Sequence, residues 1–334
     1  MDDRSLLALF GKLHVWRAHD QRAPHKPLLV LWAIGRCLRA EPRMAPYSET
    51  AEPLGALLRE FGPPRNAVHP NYPFWRLRAD GVWAIDGAAN VTVTRRGDAH
   101  EGALRKHNVQ GGFPEVIYDA FHEDPGLAIQ VARSLLDAHF PWTRHREILR
   151  AVGIEADFVE SRRRRRDSGF RGRVLEAYVY KCAVCGFAVR LGDRPVAIDA
   201  AHIRWHQAHG PATVSNGIAL CTLHHELFDA GTFTLAGERL QPSRLKYSRP
   251  RRTTASVQRV AEVAPTIDSI PRPVVVVTPL VTGEGVDEAL GRYDGMPVHL
   301  PAEQDLWPAP AYLKWHAREV FKSADSTVRS LHPL

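Results

Sequence analysis

Lys181-Cys-Ala-Val-Cys185, Ala197-Ile-Asp-Ala-Ala-His-Ile203 and Ser215-Asn-Gly-Ile-Ala-Leu-Cys-Thr-Leu-His-His-Glu-Leu-Phe-Asp-Ala-Gly231 decide how the second half of this chain folds. Cys182-x-x-Cys185 is half of a metal knuckle, because the short loop turns tightly enough for both thiolates to reach one ion. Cys221-x-x-His224 is the other half, set at the start of a helix. Together they make a Cys3His set, the composition of a closed tetrahedral structural Zn2+ site. A lone Cys-x-x-Cys would serve redox chemistry as well, and it is the second pair that argues for metal. His225, four residues after Cys221, is an alternative to His224 as the fourth ligand. Ala197 to Ile203, between the two halves, reads as a strand ending at His202.

Working outward, 334 residues are ample for two domains. Hydrophobic residues make up 44% and charged residues 24%, ordinary values for a globular chain. The net charge of +7 favours a polyanionic partner, nucleic acid before a membrane surface. No basic segment followed by an apolar run opens the chain, and no stretch approaches 18 apolar residues; the run Val274 to Val277 is far too short to span a bilayer. Three of the four cysteines lie in the knuckle, which points to a reducing, cytoplasmic setting rather than a disulfide framework.

The first 150 residues read as a mixed α/β domain. Ser5 to His19 carries Leu6, Leu7, Phe10, Leu13 and Trp16 at helical spacing, and Pro27 opens a second apolar helix, Leu28 to Leu38. Trp75 to Asp86 alternates on both sides of Asp80-Gly81, the pattern of a β-hairpin. Further helices are expected near Pro114–His122 and Gly126–His139. Residues 151–171 form a basic linker, in which Arg162 to Arg166 is either a solvated connector or a phosphate-contacting arm. A second domain with a C-terminal extension then runs over 172–322. Residues 241–275 look loop-like. From about Val276 to Lys322 a short strand, a helix near Gly283–Tyr293 and a last helix ending in WHAREVFK are expected.

The register of AAHI, SNGIALC and HHELFDAG over Cys182 to Phe233 resembles the HNH nucleases of restriction systems, as does the ending PVHLP…PAPAYLKWHAREVF. That resemblance implies a ββα-metal domain in which His202 is the general base, Asn216 orients it and shapes the loop, and His225 is a ligand to a catalytic divalent metal, Mg2+ or Mn2+. A neutral imidazole suits the first role near neutral pH. A divalent ion relieves charge on the phosphate and the departing oxygen. Neighbouring helix positions diverge by about 100°, so His224 and His225 can serve different ions. Many such sites carry an Asp immediately before the first His, where this chain has Ala201. Asp199 is the nearest carboxylate and a candidate metal ligand, but in a regular strand it faces away from His202. A bulge would have to bring it round, or another group such as Asp229 would complete the shell.

In the first domain, His25-Lys-Pro-Leu-Leu, Asn71-Tyr-Pro-Phe-Trp-Arg-Leu77 and the basic loop Arg105 to Phe113 together resemble the sulfur-binding domain of phosphorothioate-dependent, type IV, McrA-like restriction endonucleases, in which that domain precedes an HNH nuclease. The resemblance implies that Tyr72 and Pro73 line a pocket for the phosphorothioate sulfur with His25 and Lys26 beside it. It also implies that Arg105 and Lys106 hold phosphates or bases, and that Gln110, Gly111 and Gly112 approach base edges. The physics is compatible: sulfur is poorly hydrated, and an apolar pocket penalises an ordinary phosphate oxygen that it strips of water.

The expectation is therefore an α+β protein: an N-terminal mixed α/β DNA-recognition domain (1–150) and a C-terminal ββα-metal, zinc-containing nuclease domain. Its partner is double-stranded, phosphorothioated DNA. One HNH site per chain must cut two strands, which calls for a homodimer or two successive events. Two alternatives stand beside this reading. An HNH endonuclease could read methylated bases or a plain sequence through the Tyr72–Trp75 cluster, or the chain could be a zinc-containing DNA-binding regulator without turnover.

Overall fold

The computed structural model describes residues 2–15, 21–155, 168–236 and 272–323. The five-arginine run, Trp16 and most of the 241–275 stretch lie outside the described residues. Among the described residues two large hydrophobic cores stand out, beside two small clusters. One gathers residues from Leu6 to Ile154, and the other residues from Phe170 to Leu313. Residues 152–154 thus pack with the first core, and 170 with the second, although both fall within the stretch expected to be linker.

The first core is built around α2 (His25–Leu38), in which every residue from Leu28 to Gly35 is buried. A helix apolar all round has to be covered on every side. α1 (Asp3–Gly11) and α7 (Pro125–His139) pack together. α3 (Tyr47–Phe61), α4 (Asn71–Arg76), α6 (Glu115–Glu123) and α7 surround α2. α2 begins at His25, two residues before Pro27, and proline is tolerated within a first turn. α8 (His145–Ala151) closes the unit.

The expected hairpin at Asp80-Gly81 does not form. Asn71–Arg76 is helical and continues as a 3-10 turn, Leu77–Asp80, that Gly81 ends in the left-handed conformation at φ 75°. Phe74, Trp75 and Leu77 are all buried, a helical stripe rather than alternation. Only the second arm is extended, and β2 (Ala84–Asp86) pairs elsewhere. With β1 (Met44–Pro46) it flanks β3 (Gln110–Gly112), so the sheet runs β1-β3-β2 with both pairings antiparallel. α5 (Glu101–Lys106) immediately precedes β3. Gly111 and Gly112, expected to face bases, are buried at the centre of this sheet. A Cβ on Gly111 would lie 2.7 Å from Trp83 and 2.8 Å from Phe74, and one on Gly112 would lie 2.0 Å from the Arg43 carbonyl. Their lack of a side chain answers to the protein's own packing.

In the second core, α9 (Ser168–Ala177) lies over an antiparallel pair, β6 (Ile198–His202) and β7 (Gly217–Cys221), followed by α10 (Thr222–Ala230). A short hairpin, β4 (Arg190–Leu191) and β5 (Arg194–Pro195), precedes them. β8 (Phe233–Ala236) pairs with β9 (Val274–Val277), which begins two residues before the strand expected from sequence. α11 (Val286–Ala289) and a 3-10 turn occupy the region expected to be one helix. α12 (Pro310–Glu319) lies against β8. Among the described residues no helix is long and apolar enough to cross a membrane.

Two histidines, His316 fully buried and His25 half-buried, couple this fold to pH. His316 is fully buried on Phe228, with ring centroids 3.7 Å apart, and bonds Thr234 at 2.9 Å. Burial pushes its pKa down to about 3. Burial, with Arg65 and Arg22 nearby, pushes His25 down to about 4. Both are neutral when folded, whereas unfolded imidazoles take up protons near pH 6.5. Stability is therefore complete above about pH 6.5 and is lost as pH falls toward 4, by roughly a few kcal/mol per group. Urea midpoints should fall steadily from pH 7 to pH 4.5, with a shallower slope in His316→Gln; equal slopes in both proteins would contradict the assignment.

Candidate active site

The knuckle assembles as its spacing requires. One ligand atom from each of Cys182, Cys185, Cys221 and His224 lies within 4.8 Å of the other three. Nδ1 of His224 is 3.1 Å from the Cys221 sulfur and 3.7 Å from that of Cys182. Its Nε2 lies 2.9 Å from the Ala289 carbonyl, so the outward nitrogen has an acceptor and Nδ1 faces the sulfurs. His224, not His225, completes the set. Hydrogen bonds from Cys185 and Cys221 pull the Cys182 thiol well below its usual range. Burial opposes the charge on His224, but the neighbouring Cys182 and Cys185 sulfurs outweigh it and raise the imidazole to about 10. Three sulfurs and one imidazole nitrogen at this mutual spacing fit a tetrahedral metal.

β6, the 3-10 turn Val214–Asn216 just before β7, and α10 carry the three residues singled out from sequence. His202 ends β6 opposite Gly217, and its ring stacks on Phe170 of α9 at 3.9 Å. Gly217 makes room for that helix, since a Cβ there would lie 2.4 Å from Val174 and 3.1 Å from Phe170. Asn216, fully buried, accepts from the Arg204 backbone N–H at 2.9 Å and donates to the carbonyls of Arg204 and Pro211 at 3.0 and 2.9 Å. It thus clamps the loop after His202, whereas the ring itself rests on Phe170, a residue not singled out from sequence.

His225 is buried on α10 at 4% exposure. The carboxylate beside it is Asp229, one turn on, with Oδ2 at 3.4 Å from His225 Nε2. Burial works against the charge of Asp229, but His225 and Thr143 outweigh it and hold its carboxyl below the usual range. Asp199 is placed differently. The β6–β7 register is unbroken from Ile198 to His202, so no bulge turns Asp199 toward the His202 face. Asp199 instead accepts from Arg171 at 2.9 Å.

The first domain reaches this site, which no local motif announced. The Thr143 hydroxyl donates to Asp229 Oδ2 at 2.5 Å, and the Trp142 ring stands edge-on to His225 with centroids 6.0 Å apart. Close by, Gln207 donates to the Phe140 carbonyl at 3.0 Å. A second junction centres on the fully buried Glu319. Arg65 donates to its two carboxylate oxygens at 3.1 and 3.2 Å, and the Arg22 backbone N–H and guanidinium donate to its carboxylate and carbonyl.

The residues expected to contact the sulfur and the DNA come from three helices and a strand. His25 and Lys26 open α2, and Tyr72 and Pro73 lie in α4, packed against it. Lys26 pairs with Asp80, and burial holds His25 neutral, so the start of α2 carries little net positive charge. Tyr72 is 37% exposed, stacked on His69 at 4.8 Å with the Arg76 guanidinium 5.2 Å from its ring, while Pro73 is buried. Arg105 and Lys106 are exposed in the last turn of α5; Arg105 pairs with Glu101 and lies 5.5 Å over Tyr47, whose ring meets Phe74 of α4. Gln110 is half-buried on β3, and Gly111 and Gly112 are enclosed by the sheet. Trp75 is core, its indole donating to the Gly97 carbonyl at 2.9 Å.

Two family models match parts of this chain. Residues 3–157 match the family model described as the ScoMcrA-like DNA sulfur-binding domain. Residues 182–236 match the HNH endonuclease model. No curated protein matches. Among solved structures, the sulfur-binding domain of ScoMcrA complexed with phosphorothioated DNA is 26% identical, covering 46% of this chain and 97% of that one, with a TM-score of 0.42. The corresponding complex of SprMcrA is also 26% identical, covering 46% and 95%, with a TM-score of 0.40. The type IV phosphorothioation-dependent restriction endonuclease ScoMcrA is 27% identical over 44% of this chain and only 28% of its own length, with a TM-score of 0.40.

The loop clamp carries a direct test. Asn216→Ala leaves the Arg204 N–H and two carbonyls without their side-chain partner, which should cost about 2–4 kcal/mol of stability. Denaturant unfolding measures it, and an unchanged midpoint would refute the clamp.

Proposed function

We propose, from the premise that this chain joins a DNA sulfur-binding domain (residues 3–157) to an HNH endonuclease domain (residues 182–236), that it is a modification-dependent restriction endonuclease. It binds phosphorothioated double-stranded DNA through the first domain and hydrolyses a phosphodiester bond nearby with the second. The observation that carries the reading is the presence of both domains, in this order, on one chain.

Recognition rests on an environment that suits sulfur better than a charged oxygen. Tyr72 offers an accessible ring edge next to Pro73, and the adjoining His25 is uncharged with Lys26 already paired. A non-bridging oxygen placed there exchanges water for little, while a sulfur gives up less hydration. Arg105 and Lys106 are free of the core and supply attraction for neighbouring phosphates. A methyl-base reader would want an open aromatic cage, and Trp75 is committed to the core.

In the nuclease, His202 at the end of β6 takes the proton of the attacking water. Phe170 fixes the plane of its ring, and Asn216 fixes the loop that follows. His225 is the protein ligand for a catalytic divalent ion. The carboxylate 3.4 Å from its Nε2 supports this, because metal-ligating imidazoles commonly present their second nitrogen to such a group. A magnesium or manganese ion there would supply Lewis acidity to the phosphate and the leaving oxygen. Cys182, Cys185, Cys221 and His224, three sulfurs and a nitrogen, would hold a zinc ion in the knuckle, where it would brace the fold. Double-strand cleavage uses two copies or two successive events, and a cytoplasmic location suits a thiolate-rich site.

Two plasmids that differ only in phosphorothioation, incubated with Mg2+ or Mn2+, test the reading. Only the modified plasmid should be cut, and His202→Ala should lower the rate by about 100-fold or more. Equal cutting of both would remove the sulfur reading, and no cutting with intact DNA binding would favour a regulator.

A further inference from the structure

The contact between residues 142–143 and α10 joins a residue of the sulfur-binding domain to the histidine assigned to the catalytic ion. His225 and Asp229 are four apart, so they share one face of α10. Both are at least 95% buried, and what covers that face includes the Trp142 ring. Asp229 Oδ2 serves two groups at once: it lies 3.4 Å from His225 Nε2 and accepts from the Thr143 hydroxyl at 2.5 Å. With Nε2 turned to a carboxylate, Nδ1 is the nitrogen that keeps its lone pair for a ligand. The tautomer and plane of His225 thus depend on where Asp229 points, and Thr143 contributes to fixing it.

We propose that Thr143 is a positioning residue of the nuclease, contributed by the recognition domain, which holds Asp229 so that Asp229 orients His225. This deepens the reading of His225 as a metal ligand and rests on it. The consequence is a site completed by the other domain. Thr143 sits on a 3-10 turn between α7 and α8. That turn is held against the nuclease by the Gln207 contact to Phe140, and the two domains are pinned again by Arg22 and Arg65 on Glu319. An undocked nuclease would keep His225 and Asp229 but lose the hydroxyl that steadies them.

The test uses full-length protein with Thr143→Val, which removes the hydroxyl at nearly constant volume, Thr143→Ser, which keeps it, and Asp229→Asn, which keeps the shape but weakens the hold on His225. Thermal melting establishes that each variant is folded, and cleavage of phosphorothioated DNA is resolved into kcat and KM. The affinity for a phosphorothioated duplex and for Mn2+ is measured separately. The expected result for Thr143→Val is a fall in kcat and in Mn2+ affinity of about 10- to 100-fold with duplex affinity unchanged, and recovery in Thr143→Ser. Asp229→Asn should show the same loss even if the valine variant does not fold. Wild-type kcat in folded Thr143→Val or in Asp229→Asn overturns the proposal, and so does a gain in cutting of unmodified DNA, which would make the contact an inhibitory latch. His225→Ala separates the two layers: undiminished cleavage and Mn2+ affinity there would remove the ligand reading itself.

Discussion

The convergence of Cys182, Cys185, Cys221 and His224 on one point is the constraint on which the nuclease half depends. A two-stranded sheet is marginally stable by itself and needs support from what packs around it. The knuckle joins the loop at Cys182 to the end of β7 and the start of α10. It thereby sets the helix that carries His225 against the strand that ends at His202. Because His224 is spent on the knuckle with both ring nitrogens engaged, His225 is turned away from it toward Asp229. One helix register thus places His224 in the cluster and His225 against Asp229.

A second constraint is the junction between the domains. Glu319 is an acid with no exposure, and burying such a charge is costly unless it is paired. Two of its partners, Arg22 and Arg65, come from the other domain, and a third, Arg318, is its neighbour in sequence, so undocking would remove two of the three groups that pair with it. Trp205 adds to the seam, stacked under the Arg22 guanidinium at 4.1 Å and edge-on to Trp315. A docked pair of this kind gives the reading domain a fixed relation to the cutting domain and makes Thr143 available to α10.

How much of this was legible in the sequence follows from how local each feature is. The knuckle could be read because the spacing within each of its two halves is short and chemically distinctive. The choice of His224 over His225 needed the position of the Ala289 carbonyl, 65 residues away. The supposed hairpin failed because Trp75 to Asp86 alternates only when Phe74 is left out, and Phe74 with Trp75 and Leu77 forms a helical face on α2. Gly111 and Gly112 looked like places for DNA to approach, yet neighbours contributed by Arg43, Phe74 and Trp83 set their size. Thr143 on Asp229 and Arg22 on Glu319 join residues 86 and 297 positions apart, and nothing in a local pattern encodes such pairs.

The central claim is that the first domain discriminates sulfur from oxygen on an otherwise identical DNA backbone. Its most direct measurement is the equilibrium affinity of the full-length protein, without divalent metal, for a duplex carrying one phosphorothioate and for its all-oxygen twin, across a salt series. The account predicts tighter binding to the sulfur duplex by about tenfold or more, with parallel salt slopes, because the phosphate contacts are shared and the sulfur contribution is not one of counterion release. Equal affinities at every salt concentration would contradict it.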